Sequence, residues 1–181
     1  TAMRHNDRGM EIAELALKYR DKGAVGFDIA GAEAGFPAST FADAFTHLAN
    51  HMFPITVHAG AAAGVESIRS ALVDGRTLRL GHGVRIAEDI AALDAGDADV
   101  AGLGGVARWV LERGIPLELS PSSNLQTGAV AKWGTEMAQH PFGALYRLGF
   151  AVTVNTDNRL MSSTTLTKEL LLLVEAFGYG R

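Results

Sequence analysis

A chain of 181 residues with 48% hydrophobic side chains can bury one core, which separates it from disordered sequences. Its net charge of −4 comes from interspersed acids and bases with no long basic run, so the electrostatic footprint of a nucleic-acid binder is missing. The absence of cysteine excludes a disulfide framework and any thiolate metal site, and no apolar run reaches the ~18 residues of a membrane span.

The opening TAMRHNDRGM lacks the apolar core of a secretory leader, which makes a cytoplasmic protein the expectation. It carries no initiator methionine, and the chain stops just after the apolar run LLLLVEAFGYGR, so a piece of a longer protein is expected. In GMEIAELALKYRDKG, residues Ile12, Leu15, Ala16 and Tyr19 recur at helical spacing, with Gly23 as the stop. A strand follows in AVGFDIAG (24–31). FTHLANHMF places His47 and His51 four apart on one helical face, but Leu48 stands where a zincin carries its glutamate, so an exposed or half-buried helical face is the expected role. ITVHAG (55–60) is the second strand and ESIRSALVDG a helix ending at Gly75. LRLGHG (78–83) is the third strand, and AEDIAALDAG is read as a helix ending at Gly96. GLGGVA (102–107) matches a relaxed dinucleotide fingerprint but follows a polar stretch rather than a strand, so it reads as the start of the helix GGVARWVLERG. IPLELSPSSN (115–124) is the fourth strand, PFGALYRLG a helix, and FAVTVNTDN (150–158) the fifth strand.

Strands alternating with single helices give an α/β fold with a parallel sheet and one domain over 1–181. Asp28, His58, His82, Ser120, Asn124, Asn155 and Asp157 all fall at or just beyond strand C-termini. That is the face on which β/α barrels assemble their sites. There is no Walker A loop and no Gly-x-Ser-x-Gly elbow, which leaves phosphoryl transfer and serine hydrolysis without support. Of the remaining histidines, His140 before Pro141 reads as structural or capping, and His5 has no assignable role. His58 and His82 close apolar strands and face glycine on the loop side. With Asp157 on a third strand end, they suit zinc or another borderline divalent ion.

The strings GFDIAGAE, TVHAG, RLGHGVRI, LELSPSSN and VTVNTDNRLMSSTTLTKE resemble, in order and spacing, the motifs of the adenosine deaminase family. The resemblance implies a TIM-type (β/α)8 barrel that hydrolyses the 6-amino group of adenosine, or of a related purine nucleoside, to inosine and ammonia with one zinc ion. On that pattern His58 and Asp157 are metal ligands, and His82 orients the attacking water and steadies charge at C6. The backbone of Gly31 contacts the purine, and Asn158, where many members carry a second aspartate, can still donate to purine N7. In such a site zinc lowers the pKa of a bound water, and attack on C6 is aided by a positioned acid that protonates ring N1.

Two positions depart from the pattern. Ala61 stands where the family's His-Ala-Gly-Glu carries that acid, so this chain is expected to be inactive or severely impaired. Neither Glu66, well round a helix from position 61, nor Glu33, on another loop, is expected to replace it. The chain also contains no His-x-His, the family's other pair of zinc ligands, and TAMRH looks like the tail of the third barrel strand. The expectation is strands 4 to 8 of a barrel, two further histidine ligands supplied by a missing N-terminal segment, and a need for that segment or a complementing chain. An adenosine deaminase lacking its acid is one reading. A pseudoenzyme that binds a purine nucleoside or a protein partner is the alternative, and a deaminase of other 6-aminopurines, including adenine, is a third. No nucleic acid or membrane enters any of them.

Overall fold

The computed structural model describes residues 1–93 and 96–180. Its framework is a parallel sheet of five strands in chain order: β1 (Phe27–Ile29), β2 (Ile55–Ala59), β3 (Arg79–His82), β4 (Leu117–Leu119) and β5 (Val152–Val154). Each strand lies inside a segment expected from the sequence. Because the order never reverses, the sheet has no topological switch point, and it grows in one direction as a barrel wall does. Thr1–Met3 already runs beside β1, with Ala2 bridging Ala30 in parallel and Met3 N–H donating to the Ala30 carbonyl at 2.9 Å.

Alternation along the strands separates the two faces. Ile29, Val57, Leu80, Leu117 and Leu119 are fully buried on the outer face under the helices. The pairing register aligns Asp28, Thr56, His58, Arg79, Gly81, Glu118 and Thr153 on the other, polar face, where Arg79 Nε meets Glu118 Oε1 at 2.6 Å.

The helices are α1 (Gly9–Lys18), α2 (Ala42–Asn50), α3 (Val65–Val73), α4 (Gly105–Glu112), α5 (Pro121–Gln126), α6 (Phe142–Arg147), α7 (Arg159–Ser162) and α8 (Leu166–Phe177). None of the described helices is long and apolar enough to cross a membrane. On α2, Ala44, Phe45 and Leu48 face the sheet, and Phe45 meets Phe27 edge-on at 6.0 Å. The α1 face departs from the sequence reading: Gly9 and Ala13 are buried while Leu15 and Tyr19 are exposed. A Cβ on Gly9 would lie 2.7 Å from Phe41 Cδ1, so the small residues bring α1 close to its neighbour and rotate the larger ones outward.

A second departure falls at AEDIAALDAG, which is not an α-helix. Val84–Asp89 form a 3₁₀ turn, Ile90 bridges Leu103 antiparallel, and Ala92 adopts a left-handed φ of 57°; Asp94 and Ala95 lie outside the described residues. The cause is tertiary. The Asp89 carboxylate leaves its own segment to accept N–H groups of Val106 and Ala107, capping α4, and its backbone oxygen accepts from Gly104. A Cβ at Gly104 would sit 2.0 Å from Asp89 Oδ1, which is why the GLGGVA string needs glycine there. Asp89→Ala is expected to lower stability by ~1 kcal/mol, read as a fall in the urea midpoint at constant slope; an unchanged midpoint would count against the cap.

Candidate functional site

His58 sits on the polar face near the C-terminal end of β2, its ring lying over Gly81 of β3. A Cβ on Gly81 would come within 2.5 Å of His58 Nδ1, so the glycine makes room for the imidazole. Nδ1 lies 2.8 Å from Asp28 Oδ2, and Asp28 Oδ1 is buried without a partner. Burial is the largest single influence on the His58 pKa and opposes its charge. The contact with and charge of Asp28, with Asp157 and Glu118, outweigh it and raise the pKa above the ordinary histidine value.

The next turn is held from below. Glu33, in the loop after Gly31, is buried, and its carboxylate accepts the N–H groups of Gly60 (2.5 Å), Ala61 (3.0 Å), Ala62 (2.6 Å) and Ala63 (3.0 Å) and the Ser67 hydroxyl (2.5 Å). Both oxygens are occupied as acceptors, so Glu33 anchors the Ala61 loop instead of standing in for an acid at position 61. Glu66 is exposed and lies near Arg69. Ala61 lines the cavity in front of His58. Arg85 closes the rim, donating to the Ala62 carbonyl and to Glu88.

His82 and Asp157 share an uncommon backbone. Their φ angles are 64° and 53°, in the left-handed region where residues with a Cβ are strained, and both turn their side chains across the top of the sheet. The His58 and His82 rings stand edge to face at 5.4 Å, and His82 Nε2 lies 3.8 Å from Asp157 Oδ2. Burial, and then the neighbouring His58, lower the His82 pKa against the pull of Asp157, Glu33 and Asp28. Asp157 Oδ2 accepts the Ser123 hydroxyl at 2.6 Å and Oδ1 the Asn158 N–H at 2.8 Å.

A cavity of about 520 Å³ is lined by His58, His82, Asp157, Ala61, Gly31 and Arg85, with a smaller one of about 180 Å³ beneath it beside Ser120 and Asn155. Five expected site positions, Gly31, His58, Ala61, His82 and Asp157, are thereby brought together around one cavity. Asn158 is placed differently: its Oδ1 caps α7 through Leu160 and Met161 N–H, and it does not line the cavity. Asn155 ties β5 to β4, donating from its backbone and side chain to the Leu119 carbonyl. His47 and His51 pair at the exposed end of α2, rings 4.6 Å apart, with His51 Nδ1 donating to the His47 carbonyl. A larger concavity, about 800 Å³, lies elsewhere, beside α6 and the end of α8.

The sequence placed Asp28 and Asn124 on the strand-end face without a specific role, read His140 as structural or capping, and gave Ser123 no role. His140 is buried, accepts the Phe142 N–H at the start of α6, and has its pKa pushed down by burial to about 4. Since the unfolded ring titrates near ~6.5, the folded state binds fewer protons between the two values. The stability present above pH ~6.5 is lost as pH falls toward 4. Over that window the chain is expected to lose roughly 3 kcal/mol more than His140→Gln, measured by urea midpoints across pH; parallel curves would contradict it.

The adenosine deaminase family profile matches residues 1–181. The chain is 55% identical over 180 residues to an adenosine deaminase of Mycobacteroides abscessus, covering 99% of this chain and 48% of that protein. It therefore spans about half the length of the curated relatives it matches. Among solved structures it resembles an adenine deaminase from Arthrobacter aurescens, with a TM-score of 0.80 at 23% identity over 97% of this chain and 48% of that one. It also resembles an amidohydrolase from Burkholderia ambifaria with bound zinc, with a TM-score of 0.79 at 20% identity over 99% of this chain and 46% of that one. At these identities the structural likeness shows the fold. The ordered motifs, the one-way parallel sheet, the profile match over the whole chain and the close bacterial relatives lead to one assignment: the chain belongs to the adenosine deaminase family.

Proposed function

We propose that the complete protein is a cytoplasmic, zinc-dependent hydrolase of the 6-amino group of adenosine or a related 6-aminopurine nucleoside, and that this chain supplies one incomplete domain of it. The observation that carries the reading is the meeting of His58, His82 and Asp157, from three strand ends, around one cavity beside Gly31. In this reading His82 orients a water against the ring carbon, Asp157 holds it, and the Gly31 backbone seats the purine. Asn158, which caps α7 and lies outside the cavity lining, is assigned no substrate contact in this reading.

For the metal, the residues present fit only in part. His58 Nε2 and Asp157 are suitable donors, yet among the described residues no group of three or more histidines and carboxylates is placed to hold an ion. Two donors fall short of the three or four of a stable zinc site, so no step is derived through it. The reading assigns the remaining ligands to two histidines from a complementing segment.

Ala61 favours a second reading, a non-catalytic binder of a purine nucleoside or a protein partner. The loop, its Glu33 anchor and the cavity are all formed around a methyl group that can transfer no proton. The test is to pair the chain with the N-terminal half of a relative and measure zinc content, nucleoside affinity and inosine formation together. Zinc binding with nucleoside affinity supports the site; no affinity in a zinc-loaded, folded complex overturns it.

A further inference from the structure

Asn124 is completely buried, and its side-chain amide bridges two histidines. Nδ2 lies 3.1 Å from His82 Nδ1, and Oδ1 lies 3.3 Å from His140 Nε2. The direction of this bridge is dictated from its far end. His140 Nδ1 lies 3.0 Å from the Phe142 backbone N–H, a group that can only donate. Nδ1 is therefore bare, and in a ring kept neutral by burial the proton sits on Nε2. His140 then donates to Asn124, which must offer its oxygen on that side and its NH2 group to His82. His82 Nδ1 accepts, and the proton of its neutral ring is left on Nε2, the nitrogen facing Asp157 and the cavity.

We propose that His140 is a positioning residue which, by fixing the orientation of the Asn124 amide, sets the tautomer of His82 so that Nε2–H points into the cavity. The inference rests on the reading of His82 as a reactive-site side chain. In this tautomer His82 donates to an oxygen in front of it, suited to steadying negative charge as it develops there. Without the His140 donor, Asn124 has no reason to prefer one orientation: turned over, it presents its oxygen to His82 Nδ1 and draws the proton to the wrong nitrogen. A histidine that only filled space would leave His82 indifferent to its replacement.

The experiment is a long-range ¹H–¹⁵N correlation of the histidine rings of the ¹⁵N-labelled chain near pH 7.5, which distinguishes protonated from bare ring nitrogens. His82 is expected as the Nε2–H form. His140→Gln, whose side-chain amide still donates to Asn124, is expected to keep that form, whereas His140→Leu is expected to give a mixture with a substantial Nδ1–H population. A wild-type His82 protonated on Nδ1, or a folded His140→Leu chain with His82 unchanged, overturns the proposal. Should His140→Leu fail to fold, Asn124→Asp, which has no donor to offer, is expected to move the proton to Nδ1, and an unmoved proton there overturns it equally. Because the readout is the position of a proton and not turnover, it is independent of whether the complete protein proves to be a deaminase.

Discussion

Ala61→Glu, introduced into the chain completed by a segment bearing the family's His-x-His, is expected to raise adenosine deamination by at least ~10²-fold. Position 61 lines the cavity next to His58, and its N–H is already committed to Glu33, so a longer side chain changes what faces the substrate without disturbing the loop. A positioned general acid contributes about 10²- to 10⁴-fold, which sets the range. Ala61→Gln is the control: an amide matches the shape and can form a hydrogen bond but cannot deliver a proton, and no comparable gain is expected from it. Folded, zinc-loaded Ala61→Glu without a gain in inosine formation would remove the lost-acid explanation and leave the non-catalytic reading in its place.

Glu33→Gln is expected to cost at least ~3 kcal/mol and to loosen the Gly60–Ala63 turn selectively. The buried carboxylate accepts five donors, four of them backbone N–H groups. An amide replaces one accepting oxygen by an NH2 group pointed at other donors. Hydrogen bonds to a charged group are worth ~1.5–3 kcal/mol each, and donors left buried without a partner add to the loss. The check is amide exchange: the protons of residues 60 to 63 are expected to exchange at least ~10²-fold faster in the variant, with the β3 and β4 amides much less affected. Uniform acceleration across the sheet would mean that Glu33 stabilises the whole fold and not this turn.

The sequence made the sheet and the candidate side chains around the cavity legible for the same reason. Short segments such as ITVHA and LEL alternate apolar and polar residues, and the cavity-lining residues His58, His82 and Asp157 fall at or just beyond the ends of such segments. His58, His82 and Asp157 stood out as polar residues at strand ends, and Ala61 only against the family's His-Ala-Gly-Glu pattern. The roles of Asn124 and His140 could not be read in this way, since their meaning lies in a contact across 16 positions with a third residue 42 positions away. Glu33 was noticed only as a spare carboxylate, because four N–H groups 27 to 30 residues downstream leave no trace in side-chain identity. The stretch 87–96 misled by local pattern. Its alanines and leucine look helical, but Asp89 is used to cap a different helix.

The left-handed backbones of His82 and Asp157 bear on any attempt to make this protein hardier. At both positions the chain conformation asks for glycine or asparagine, while the cavity asks for an imidazole and a carboxylate. A redesign scored on folding free energy alone would repair these two residues early and gain stability at each. It would erase two of the side chains around which the cavity is built. At these two positions, where left-handed backbone and cavity lining coincide, a stabilisation campaign should hold the residue fixed; Met52, Arg76, Ala92 and Ser163 share the backbone but not the cavity.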